Sequence, residues 1–120
     1  MNFTPLTTIE QVDEIKGNSN QRPVIIYKHS TRCGISSVVL SRLERSWQPA
    51  EMQAADFYFL DLISFRQVSQ SVADTFGIRH ESPQVLLISE GKCVYDASHM
   101  MISYSSLRDK LQVLSNSSAS

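Results

Sequence analysis

Apolar residues recur along this chain with two different periods, and the switches between them predict its elements. Pro23-Val-Ile-Ile-Tyr27 is a short β-branched run suited to a buried strand. From Gly34 the period becomes helical, with Ile35, Val38, Val39, Leu43 and Trp47 on one stripe until Pro49 closes the segment. Ahead of both, Ile9, Val12 and Ile15 form a brief helical stripe behind a Thr7/Glu10 capping box, with Gly17 as its stop and 18–21 as loop. Residues 57–62 read as a second strand. Ser64 and Gln67 make another capping-box pattern, opening a helix with Phe65, Val68, Val72 and Phe76 on one face and Gly77 at its end. Residues 84–89 and 92–96, joined by Glu90-Gly91, read as a hairpin, and a last helix from about Ser103 carries Leu107, Leu111 and Leu114.

The predicted order is α-β-α-β-α-β-β-α. A β-α-β unit gives parallel strands and the closing hairpin antiparallel ones, so the fold class is α/β: a central mixed four-stranded sheet with helices on both faces. The 120 residues suit one domain over 1–114, with SNSSAS (115–120) as a flexible tail. Composition narrows the partners. A net charge of −1 favours neither nucleic acid nor an anionic membrane surface. The start, MNFTPLTTIE, has no basic, apolar leader pattern, and no apolar run is long enough to span a bilayer. The expected setting is a reducing cytoplasm, where two cysteines read as thiols.

The candidate chemistry sits in Tyr-Lys-His-Ser-Thr-Arg-Cys-Gly-Ile-Ser, residues 27–36. The strand-to-helix reading places Cys33 at the carboxyl end of a strand and the amino end of a helix. Ligand sites of open α/β sheets collect at that edge, and free N–H groups and the helix dipole favour a thiolate there. Lys28, Arg32 and His29 are expected to add positive character. Ser36 occupies the second sulfur's place in a Cys-x-x-Cys, on the same exposed turn; its hydroxyl can donate to a thiolate but cannot attack a disulfide. Cys93 falls beyond the hairpin turn, roughly 20 Å along a six-residue strand from Pro83, and reads as structural. Ser82-Pro83 opens a strand where a cis turn would present backbone to a thiol beside Cys33. His99 should return to the same edge, as a thiol-binding residue or proton donor. Two remote cysteines and three scattered histidines match no metal spacing.

Together with Phe-Leu-Asp-Leu (59–62), Gly-Ile-Arg-His-Glu-Ser-Pro-Gln-Val-Leu-Leu-Ile (77–88) and Gly-Lys-Cys-Val-Tyr-Asp-Ala-Ser-His (91–99), that stretch resembles the monothiol bacilliredoxins (YtxJ), redox proteins of the bacillithiol system, over roughly residues 6–112. The resemblance implies a thioredoxin-like fold with a cis bond at Ser82-Pro83. It implies that Cys33 takes bacillithiol from S-bacillithiolated client proteins. Bacillithiol is then a co-substrate, no cofactor is tightly bound, and bacillithiol or another redoxin resolves the adduct. Thr31, Arg32, Gly34, Ser36, Ser82, Pro83 and His99 are the residues assigned to thiol binding or thiolate stabilisation. Gly34 departs from the family, which often has proline there. Two other readings compete. Cys33-Gly-Ile-Ser36 is close to the Cys-Gly-Phe-Ser of monothiol glutaredoxins, which carry a [2Fe–2S] cluster with glutathione. That family, however, has lysine where Ile25 stands and Gly-Gly-Cys-Asp where Ala97-Ser98-His99 stands. The other is a non-catalytic thioredoxin-like stress or adaptor module.

Overall fold

The computed structural model describes residues 3–32 and 34–119, with the side chains of 115–119 left aside. The elements run β1 (Thr4–Pro5), α1 (Ile9–Asn18), β2 (Val24–His29), α2 (Gly34–Ser46), β3 (Asp56–Asp61), α3 (Arg66–Phe76), β4 (Gln84–Ser89), β5 (Lys92–Ser98) and α4 (Tyr104–Ala119), with 3-10 turns at Pro49–Glu51 and His99–Met101. α4 thus continues into the stretch read as a tail. The sheet order is β1-β3-β2-β4-β5. β2 runs parallel to β3 and antiparallel to β4, and β4 is antiparallel to β5.

The sheet has five strands rather than four. The extra one, β1, is only two residues long and pairs with β3 through Thr4↔Tyr58 and Pro5↔Phe59. So short a segment, half proline, has no alternation to read; fully buried Leu6, whose N–H donates to the Phe59 carbonyl at 2.8 Å, anchors it.

Alternation along the central strands separates two cores. Ile25, Tyr27, Val85 and Leu87 pack with Val39 and Leu43 of α2 and Leu107 and Leu111 of α4. Val24, Ile26, Leu86 and Ile88 pack with Val12 and Ile15 of α1 and Val68 and Val72 of α3. Each side chain so buried contributes about 1.5–3 kcal/mol of transfer free energy, which commits both faces of the sheet to helices.

Several local expectations shift. The first capping box is Thr8 with Gln11, whose side-chain oxygen also accepts from the backbone of Thr7, and Gly17 lies inside α1 rather than ending it. Ser64 does not cap α3; its N–H and hydroxyl donate to the Asp61 carboxylate, and α3 begins after Phe65 without a side-chain cap. Gly77 ends α3 in the left-handed conformation (φ 65°) that favours glycine. Glu90 and Gly91, at φ 53° and 75°, make the hairpin turn, and β5 extends to Ser98 instead of stopping near 96.

Candidate active site

β2 and β3 both end at the edge where β4 begins, because Lys28 pairs with Gln84 and His29 with Asp61. Ser30 follows β2, Thr31 and Arg32 form an exposed turn, and Gly34 opens α2. Cys33, between Arg32 and Gly34 in the chain, lies outside the described residues. The described residues of this sheet edge are as follows. The Ser82-Pro83 bond is cis, as the resemblance implies. Directly after it Gln84 enters β4, opposite Ser98 of β5. His99 then turns back with φ 55°, and its N–H donates to the Pro83 carbonyl at 2.9 Å. Its Nε2 lies 3.5 Å from the Glu81 carboxylate. Arg79, Glu81, Gln84, Asp96, Ser98 and His99 line a cleft of about 410 Å³ here. Ser82, Pro83 and His99, distant in sequence, therefore meet at the edge that leads into α2.

Ser36 is not on an exposed turn. It is fully buried, and its Oγ accepts the Ser30 N–H at 3.2 Å and shares a 2.7 Å hydrogen bond with His29 Nδ1. The Tyr27 hydroxyl donates to the Ser36 carbonyl at 3.1 Å. The reason is helical phase: Ser36, Val39 and Leu43 share the inward face of α2, while Ile35 and Val38 stand 47% and 51% exposed. Those two were expected on the buried stripe.

The positive character expected around Cys33 is also redistributed. His29 is 9% exposed, lies tilted against the Phe59 ring at 5.4 Å and has its pKa lowered by burial, which outweighs the opposing pull of Asp61, so it is mainly neutral at pH 7. Lys28 points to the other face, with its Nζ on the Ser69 carbonyl and His80 Nδ1. Arg32 alone of the three remains solvent-facing in the turn, its N–H on Ser30 Oγ at 3.3 Å. Gly34 is not held to glycine by space, since a Cβ there would meet nothing within 4 Å.

Cys93 is a half-buried free thiol whose Sγ donates to the Tyr95 carbonyl, and burial, reinforced by Asp96, pushes its pKa up to about 11. A thiol so protonated is a poor nucleophile. Sequence reading missed the His29–Ser36 pair and the Tyr27 hydroxyl. The signal was available: Tyr27 and His29 alternate onto one face of β2, the face that the Ser36–Val39–Leu43 stripe of α2 must cover.

A mixed sheet with a cis-proline turn beside a strand-to-helix loop defines a thioredoxin-like redox protein. The solved structures agree. A proposed oxidoreductase with a thioredoxin fold is 28% identical, with 88% of this chain and 89% of that chain covered, at a TM-score of 0.73. Thioredoxin of Trypanosoma brucei brucei is 15% identical (96% and 92% covered, TM-score 0.73), and that of Malassezia sympodialis 19% (93% and 90%, 0.71); these two speak to the fold alone. The model of the monothiol bacilliredoxin BrxC family matches residues 4–107, and the chain belongs to that family. Family and fold together give a thiol redox function. Among the described residues no helix is long and apolar enough to cross a membrane.

Proposed function

We propose that this protein removes a low-molecular-weight thiol, bacillithiol in the family's setting, from S-thiolated client proteins in the cytoplasm. The Cys33 thiolate attacks the small thiol's sulfur in the client mixed disulfide. A Cys33–small-thiol disulfide forms, and the client sulfur leaves as thiolate and takes up a proton. A second small-molecule or redoxin thiolate then attacks the adduct and frees Cys33, so each step exchanges one S–S bond for another. Cys33 is the nucleophile. Arg32 and the amino end of α2 favour its thiolate. Thr31, Gly34 and the Ser82-Pro83 backbone border the incoming disulfide, and His99 stands at its far side.

The observation that carries this reading is Ser36. The resolving position holds a hydroxyl that is buried and bonded to His29 and Ser30. Cys93, protonated and tied into β5, is no substitute. Resolution therefore comes from outside the chain. Exposed Ile35, Val38, Met100 and Met101 stand on α2 and the adjoining His99–Met101 turn, an apolar rim suited to an unfolded or extended client segment. No tightly bound cofactor takes part.

The test is to incubate the reduced protein with a bacillithiolated client and follow mass. An adduct of one bacillithiol on Cys33, with Cys93 unmodified and the client thiol restored, is the expected result. Transfer that persists in Cys33→Ser, or no transfer at all, removes the proposal.

A further inference from the structure

Lys28 is fully buried, yet no carboxylate pairs with it among the described residues. Its Nζ is 3.1 Å from the Ser69 carbonyl and 3.2 Å from His80 Nδ1. Burial lowers its pKa to about 8, so at neutral pH it remains mostly protonated. Holding an uncompensated ammonium in the interior is costly, and folded proteins ordinarily pair such a charge.

An ammonium only donates. His80 Nδ1 therefore accepts, and the ring's own proton sits on Nε2. Ser69 Oγ, 3.3 Å from the same Nδ1, closes the triangle. Ser69 and His80 line a concavity of about 180 Å³ together with Leu62, Arg66 and Gln70. None of these is acidic. Glu81, the carboxylate that acts on His80, is engaged by Arg79 at 3.9 Å and His99 at 3.5 Å. The Leu62 N–H donates to the His29 carbonyl at 3.0 Å, so the concavity opens at the carboxyl ends of β2 and β3, where the chain leaves toward α2. A guanidinium and a ring N–H thus line one small space at the active-site edge, with a buried positive charge behind the ring, while the Gln70 amide is engaged by the Asp74 carboxylate at 2.9 Å.

We propose that this concavity is an anion subsite that takes a carboxylate on Arg66 and the His80 Nε2–H, with Lys28 as the charge behind them. Arg66 offers the two-pronged donor geometry that carboxylates fit. Lys28 touches no ligand; it is a positioning residue that holds His80 in the donating tautomer. On the function proposed above, the anion is the carboxylate end of the low-molecular-weight thiol whose sulfur meets Cys33.

Two arms test this. In the first, succinate is titrated into the full-length Cys33→Ser protein while the His80 ring resonances are followed by NMR, with chloride at matched ionic strength as control. Saturable shifts with succinate alone are expected, and Arg66→Ala and Lys28→Met should each weaken binding roughly tenfold or more. Lys28→Met should also melt above its parent without succinate and gain little from it, which separates lost binding from lost folding. Equal shifts with chloride, or unchanged affinity in both variants, overturn the subsite. In the second arm, the protein with Cys33 intact meets one client carrying glutathione or its dimethyl ester. Faster transfer of the free-carboxylate thiol, with the difference erased in Arg66→Ala, is expected. Transfer of both at one rate overturns the assignment to the thiol. Transfer of neither, with none from a bacillithiolated client either, strikes the proposed function instead; transfer of bacillithiol alone overturns the assignment of the subsite to a carboxylate shared with glutathione, and the first arm still decides the subsite.

Discussion

Lys28 and His29 are neighbours on β2, both polar and both buried, and they face opposite cores. On the α2/α4 side His29 is mainly neutral, 2.7 Å from Ser36 Oγ and near the ring of Phe59. On the α1/α3 side Lys28 holds a charge against a carbonyl and an imidazole. In the first arrangement the Ser36 hydroxyl serves both the Ser30 N–H and His29 Nδ1, and the resolving position is sealed. The second leaves a charge without its opposite. Both are buried; what differs most is whether the neighbours complete the electrostatics. A closed polar pair stabilises a site, and an open one marks where something from outside completes it.

Breaking each side should therefore have opposite signs. Lys28→Met removes the unpaired charge but keeps the volume, and should stabilise the chain by about 1–4 kcal/mol in denaturant melts. A destabilisation of similar size would show that the ammonium is already compensated. Ser36→Ala should cost about 1–3 kcal/mol, because the Ser30 N–H and His29 Nδ1 lose a buried partner. Chemical denaturation of Cys33→Ser and its Ser36→Ala double variant reads this without thiol side reactions.

Stability against pH sharpens the Lys28 half. The folded chain releases the Lys28 proton near 8, the unfolded chain near 10.5, so the unfolded state holds more protons between them and stability rises with pH. Cys93 acts oppositely above 9.0, since its folded value is about 11. The net rise is confined to about pH 8–9, and Lys28→Met should abolish it, measured in the Cys33→Ser background. Tyr27→Phe, which loses the bond to the Ser36 carbonyl, should cost about 1 kcal/mol. Smallest of all, Gly34→Ala should stabilise by about 0.4–1 kcal/mol, because its Cβ meets open space and the unfolded chain is restricted. A loss there would mean the α2 entry needs glycine.

Much of the fold was legible because period and punctuation are local properties. The β-branched run of β2, the stripe of α3 with Gly77, and the Glu90-Gly91 hairpin all formed near their expected places. β1 was illegible because two residues carry no period, and its pairing with β3 is decided across the molecule. The Thr8/Gln11 and Ser64 differences have one cause: several nearby side chains could cap, and competing acceptors such as Asp61 chose.

By its sequence alone this chain determined its two-faced sheet, its strand-to-helix turn before Gly34, and the absence of a sulfur at position 36. These follow from residue type and spacing, which need no partner. The tertiary structure decided where the polar groups ended up. Helical phase drew Ser36 inward to His29, strand alternation sent Lys28 to His80 on the far side, and the return of β5 brought His99 to the cis Ser82-Pro83 turn. Such contacts join residues far apart in the chain, and their geometry exists only once both cores have packed.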